Sequence, residues 1–306
     1  MNILFNKTAV LCFHSVAVST DRRYQMNQAL YVSPKNLDKF IKKCKLLQVE
    51  FISISQLKKC SKARNTFPRV CLTFDDGYKN NLHQLLPILN KYNVPACIFV
   101  TKGFVTKTVK PWWFVLEQML VHSPLIIRQA FNLESSVTDT RAFELIRIKI
   151  LTNRETYEFF LNELCKHSPQ HNNRYCEQFL DQDELNYLSN HPLITLAPHS
   201  CSHRPFSLLK IDEIMAEVEE SREFVSKYSE TGSDVFAFPY GSQREIGQHA
   251  PRIISNLGIK LGFTVQHGFI NFKYTKNYFE LPRIHADDNY EVIKLLYHLV
   301  RDMKLP

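Results

Sequence analysis

The chain has 306 residues, 44% hydrophobic and 22% charged, long enough for a large buried core and too apolar for a disordered polymer. A net charge of +8 suits an anionic polymer, membrane surface or nucleic acid, but no Lys/Arg block marks a nucleic-acid arm, so no nucleic-acid partner is expected. Eight cysteines lie scattered without a CxxC pair, which argues against a zinc ribbon or redox motif and fits a reducing compartment.

Residues 9–13 read as the first strand, ending at His14. This apolar run is too short for a secretory h-region, and no stretch approaches the roughly 20 residues of a membrane span. A cytoplasmic protein without a transmembrane segment is expected, with peripheral membrane contact left open. Ser33 caps the first helix, Pro34 occupies its first turn, and Leu37, Phe40, Ile41 and Cys44 recur on one face to about Leu47. Strands follow at 50–54 and 69–74, then a helix at 80–92 before Pro95 and a strand at 96–100.

From 104 to 190 no strand pattern occurs. Helical spacing appears after Trp112-Trp113 (Leu116, Met119, Leu120), near 140–151, at 154–167 and at 181–189. This segment reads as a helical insertion, 104–190, within one domain spanning 1–306. Strands resume at 193–197, 235–238, 261–265 and 279–284. A helix at 212–228, capped by Asp212, lies among them, and a last helix covers 289–303. Short β-branched runs alternating with helices predict an α/β fold with a parallel sheet.

Chemistry-bearing residues gather at strand ends. Asp75 and Asp76 follow the strand 69–74. Adjacent carboxylates repel, and a metal ion relieves that cost by taking one as ligand while the other serves as base. Gly77 permits the tight turn. By itself Asp-Asp-Gly also reads as a surface turn. His199 and His203, after the strand 193–197, stand four apart in a loop flanked by Pro198 and Pro205. With Asp76 they make two nitrogen ligands and one oxygen ligand with open positions, a catalytic rather than structural pattern. Pro239-Tyr240-Gly241 ends another strand, and Leu281-Pro282-Arg283-Ile284-His285 ends the last. Trp112 and Trp113 can stack on a sugar or pack the insertion onto the strands.

Thr73-Phe74-Asp75-Asp76, His199-Ser200-Cys201-Ser202-His203 and Pro239-Tyr240-Gly241 together resemble the polysaccharide deacetylase family, the NodB-homology domain of carbohydrate esterase family 4. The resemblance covers roughly 9–103 and 191–285. It implies a distorted (β/α) barrel of about seven strands with the helical insertion. It also implies a metal-dependent hydrolase that removes an N-acetyl group from a sugar of a glycan or glycan precursor. Carried over, Asp75 is the general base, Asp76, His199 and His203 hold a divalent ion, Zn²⁺ first, and the Tyr240 N–H belongs to an oxyanion hole.

This chain departs from the family pattern in two places. The family's Arg two residues before the Pro of the third motif is Ala237 here, so Arg283 is expected to supply that cation from another strand. The late Leu-x-His pattern reads Leu281-Pro282-Arg283-Ile284-His285, which makes His285 the candidate general acid. His14 is a candidate substrate-binding residue, with a structural hydrogen-bonded role as the alternative. Removal of an O-acetyl group, hydrolysis of a small amide, or sugar binding without catalysis stay open.

Overall fold

The computed structural model describes residues 7–18, 25–59, 67–164, 177–288, 290 and 295. All ladders among its named strands are parallel. The central sheet contains β1 (Thr8–Phe13), β5 (Arg69–Phe74), β6 (Ala96–Val100), β7 (Ile194–Pro198) and β10 (Ile284–His285), in the order β10-β1-β5-β6-β7. β4 (Glu50–Phe51) also pairs with β5. β8 (Val235–Ala237) pairs with β9 (Leu261–Phe263), and a short pair, β2 (Ser15–Val16) with β3 (Tyr31–Val32), lies apart.

The segment 281–285 joins the central sheet to the β8–β9 pair. Leu281 bridges Phe263 on one side, and Ile284 pairs with Leu11 on the other. The central sheet and the β8–β9 pair thus form the distorted α/β barrel expected of the chain. β1 is buried along all six residues, as a parallel strand covered on both faces must be. Ala9, Leu11 and Phe13 face the helix-side core, while Val10 joins Cys71, Cys97, Phe99 and Ala197 inside the barrel. Truncating Leu11 to Ala would cost about 2–5 kcal/mol, the usual range for a buried leucine.

Helix α1 (Pro34–Leu46) is capped by the Ser33 hydroxyl and buries Leu37, Phe40, Ile41 and Cys44, the stripe read from the spacing. α2 (Ile54–Lys59) replaces the end of the strand predicted at 50–54. Ser53 and Gln56 bond reciprocally at its start, a capping box that outcompetes extended backbone. The helix predicted at 80–92 opens as a π-helical turn, Asn81–Leu85, before α3 (Leu86–Tyr92). Pro87 lacks the N–H that a regular ladder needs there.

The regular structure in the described part of 104–190 is helical apart from one isolated bridge, Tyr78 to Phe179. α4 (Lys102–Val105) leads into it. α5 (Trp112–His122), α6 (Pro124–Ala130), α7 (Asp139–Thr152), α8 (Arg154–Phe159) with a following π turn, and α9 (Gln182–Ser189) follow. They build their own core around Trp112, Leu116, Ile146 and Phe160. The end of the helix predicted at 154–167 lies outside the described residues.

α10 (Ile211–Ser226) starts earlier than predicted. Its cap is Lys210, whose N–H donates to Glu213 at 2.7 Å, while Asp212 sits inside the first turn. α11 (Gln243–Ile246) and α12 (Ala250–Asn256) precede β9. The strand predicted at 279–284 shrinks to β10 and the Leu281 bridge, because Pro282 interrupts the ladder where the segment changes neighbours. The helix predicted at 289–303 lies outside the described residues except Tyr290 and Leu295. Among the described residues no helix is long and apolar enough to cross a membrane.

Candidate active site

β5 delivers two carboxylates to the C-terminal end of the barrel. The Asp75 N–H continues the ladder to Phe13 O at 2.9 Å. Asp76 and Gly77 then take left-handed backbone, with φ of 73° and 75°. Glycine accepts that conformation freely, whereas at Asp76 it costs on the order of 1 kcal/mol or more and persists because the surroundings impose it.

The histidine loop is held as firmly. The His199 N–H extends the β6–β7 pairing to Val100 O at 2.9 Å. Ser200 and His203 have φ of 66° and 53°, so the pair sits on a tight loop. Glu217 of α10 accepts from the N–H groups of Cys201 and Ser202, at 2.7 and 2.8 Å, and from the Ser202 hydroxyl. The Gly103 N–H donates to Cys201 O at 2.8 Å. A Cβ on Gly103 would stand 2.6 Å from that oxygen, so the approach requires glycine.

These two turns bring Asp76, His199 and His203 together, all buried. Asp76 Oδ1 lies 3.4 Å from His199 Nε2 and 3.0 Å from His203 Nε2, yet accepts no hydrogen bond of normal geometry. His199 Nδ1 is 2.7 Å from Ala237 O, so it donates there and Nε2 carries the free lone pair. Donor atoms of tetrahedral Zn²⁺ stand roughly 3.3 Å apart, which these separations match. One carboxylate and two imidazoles with an oriented tautomer fit a divalent cation. Burial raises the Asp76 carboxyl, but the His203 and His199 imidazoles outweigh it and hold it well below the usual range. Burial lowers His199, and the Asp75 and Asp76 carboxylates reverse that, leaving it raised.

Asp75 faces the other way. Arg283, fully buried, grips it with two parallel bonds of 2.7 Å, one to each oxygen. The guanidinium is itself fixed by Thr264 O at 2.9 Å and Thr73 Oγ1 at 3.2 Å, and lies over the Phe99 ring at 5.5 Å. Burial pushes the Asp75 carboxyl up. Arg283, with help from His199, more than offsets this and brings it to about 2. The cation absent at Ala237 is thus supplied by Arg283.

Tyr240 has φ of 60°, inside a turn closed by Gly241 N–H to Pro239 O at 2.7 Å. Its hydroxyl accepts from Trp112 Nε1 at 2.8 Å and donates to His203 O at 3.0 Å. The ring of Trp113 lies 5.1 Å from that of His203. Both tryptophans are buried core residues of the insertion, and both also line the cavity. His14 and His285 also line the cavity, ring centroids 5.9 Å apart. Burial lowers His14 to about 4.

A cavity of about 470 Å³ collects these groups: His14, Asp75, Asp76, Trp112, Trp113, His199, His203, Tyr240 and His285 line it. Of the candidate site residues only Arg283 does not line the cavity, and it meets the lining through its bonds to Asp75.

The family model described as polysaccharide deacetylase matches residues 62–262, well over half of the chain. The chain belongs to the polysaccharide deacetylase family. Comparison with curated protein sequences gives no match. Among solved structures, the Streptococcus pyogenes deacetylase PplD in complex with acetate superposes with a TM-score of 0.61 at 17% identity, covering 98% of this chain and 99% of that one. A de-N-acetylase from Aggregatibacter actinomycetemcomitans gives 0.62 at 14% identity, over 95% and 99% of the two chains. IcaB from Ammonifex degensii gives 0.58 at 14% identity, over 92% and 91%. At these identities the likeness establishes the shared fold.

Two residues beside this site, Glu117 and Cys12, are not marked by any sequence motif. Glu117, buried in α5, accepts from Met26 N–H at 2.8 Å and Asn27 Nδ2 at 2.9 Å, tying the insertion to a segment that lines the cavity. Burial raises its carboxyl, against the pull of those bonds. A lone Glu in an apolar helical stripe was the available signal. Cys12 lies behind Asp75, with Sγ 3.4 Å from Oδ2.

Proposed function

We propose that the chain is a metal-dependent deacetylase that removes an N-acetyl group from a sugar of a glycan or glycan precursor. The observation that carries this is the convergence of Asp76, His199 and His203 on one point, with the Arg283-anchored Asp75 beside it in the same cavity. Asp76, His199 and His203 would hold the divalent ion, Zn²⁺ first by donor set. That ion, when bound, acts as a Lewis acid toward a carbonyl oxygen and makes water nucleophilic near neutral pH.

The chain's own residues divide the remaining work. Asp75 is ionised throughout the neutral range and takes a proton from the attacking water at a carboxylate oxygen. Arg283 keeps that carboxylate from rotating and lowers its basicity, so positioning rather than base strength favours the transfer. The Tyr240 backbone N–H donates to the oxygen that gains negative charge. The departing amine needs a proton, which an ester alcohol needs far less. Two imidazoles, His14 and His285, border the cavity, and we assign the donor role to the exposed His285. This pairing favours an amide over an O-acetyl substrate.

The indole surfaces of Trp112 and Trp113 suit the apolar face of a sugar ring, and the cavity has room for a small glycan unit. The thiols of Cys12, Cys44 and Cys201 are not joined in disulfides, which accords with action in the cytoplasm on a precursor.

Acetate release over a panel of N-acetylated and O-acetylated sugars tests the reading. We expect release from an N-acetylated member, loss on chelation and recovery on adding Zn²⁺. Release from O-acetylated members alone, or release indifferent to chelation, would overturn it.

A further inference from the structure

A second cluster of metal-ligating side chains lies outside the Asp76, His199 and His203 set. Cys12 and His14 are two residues apart where β1 ends, so both face the barrel interior. Cys12 is in register with His285 across the β1–β10 ladder, and parallel register partners point to the same side. The ligand atoms of Cys12, His14 and His285 consequently all lie within 4.8 Å of one another. His14 Nδ1 is buried without a hydrogen-bond partner. One thiol and two imidazoles form a borderline-soft donor set of the kind that takes Zn²⁺ or Co²⁺, and His14 and His285 line the cavity.

We propose that Cys12, His14 and His285 form a second, inhibitory site for a thiophilic divalent cation, Zn²⁺ in particular. Binding there replaces the Cys12 S–H proton, which leaves to solvent, by a metal–thiolate bond. That S–H now donates to Asp75 Oδ2, with Sγ 3.4 Å from the oxygen. Exchanging it for a divalent centre places more positive charge against the base, and the ion also occupies His285. Excess Zn²⁺ therefore suppresses turnover without displacing the ion held by Asp76. The inhibitory consequence rests on the proposed deacetylase reading, while the binding itself does not.

The experiment titrates the metal-free full chain with Co²⁺ and with Zn²⁺, following stoichiometry and the near-ultraviolet thiolate-to-cobalt charge-transfer absorption. The Asp76, His199 and His203 site contains no thiolate, so that band reports on the cysteine site. Wild type should bind about two equivalents, the band growing with the weaker one. Cys12→Ala should bind about one and show no band. His285→Gln, at an exposed position, keeps the test open should Cys12→Ala fold poorly, and should likewise lose the weaker equivalent. With Zn²⁺, wild-type acetate release should rise with the first equivalent and fall with the second. A single equivalent in wild type, or a second one without the band, overturns the proposal. Two equivalents with the band but no acetate release at any loading would leave the second ion site standing and sink the deacetylase reading.

Discussion

Arg283→Lys tests how much of the site depends on a fork rather than a charge. Arg283 makes four hydrogen bonds inside the barrel: two of 2.7 Å to Asp75, one of 2.9 Å to Thr264 O and one of 3.2 Å to Thr73 Oγ1. An ammonium keeps the positive charge but concentrates its donors at one point, so it cannot meet both carboxylate oxygens in line. At least one charge-assisted bond is lost, worth about 1.5–3 kcal/mol, and Thr264 O competes for what remains. We expect Arg283→Lys to unfold about 2–4 kcal/mol more easily in urea. Turnover should fall on the order of 10²-fold, because the freed carboxylate rotates away from the attacking water and misplacement by about 1 Å costs that much. KM should move little, since Arg283 lines no part of the cavity. Urea titration and steady-state acetate release on the same preparation give both numbers. A Lys variant with wild-type midpoint and turnover would refute the argument that this guanidinium orients the base.

Asp75 lies at about 2 in the folded chain against an ordinary 3.8, so its ionised form contributes stability above pH 4 that is lost as pH falls through 2. The metal-free unfolding free energy of wild type minus that of Asp75→Asn should be constant above about pH 5 and shrink by about 2 kcal/mol between pH 4 and 2. A flat difference contradicts the assignment. Tyr240→Phe leaves Trp112 Nε1 and His203 O without partners and should destabilise by about 1–3 kcal/mol. If Tyr240 acts through its backbone N–H, kcat should stay within about tenfold of wild type, and a loss far beyond that would give the role to the hydroxyl. Glu117→Ala frees Met26 and Asn27 at the cavity wall. It should raise KM with kcat little changed, and a fall in kcat at constant KM would speak against that role.

Much of this architecture could be read from local pattern. β5 and β6 have the bounds the sequence suggested, 69–74 and 96–100, because uninterrupted buried runs sit between clear breakers. Ser33 and Pro34 announced α1. The carboxylate and histidine pairs were legible because they follow such strands. What local pattern cannot contain is register. That Cys12 lies opposite His285, or that Glu117 reaches Asn27 across 90 residues, is set by closure of the barrel and docking of the insertion. The short strands β8 to β10 are held by their neighbours more than by their own residues, so local pattern does not fix their ends. By residue type Asp212 is a better cap than Lys210, but Glu213 reaches back to the Lys210 N–H and moves the cap two residues earlier.

The central claim is a division of labour between adjacent carboxylates, Asp76 as ligand and Asp75 as base. It is tested most directly by metal content and acetate release measured side by side on Asp75→Asn and Asp76→Asn. The account predicts that Asp75→Asn retains about one tightly held ion while losing on the order of 10²–10⁴ in turnover, and that Asp76→Asn loses the ion and the activity together. If the two variants lose metal alike, or Asp75→Asn releases acetate at the wild-type rate, the account is contradicted.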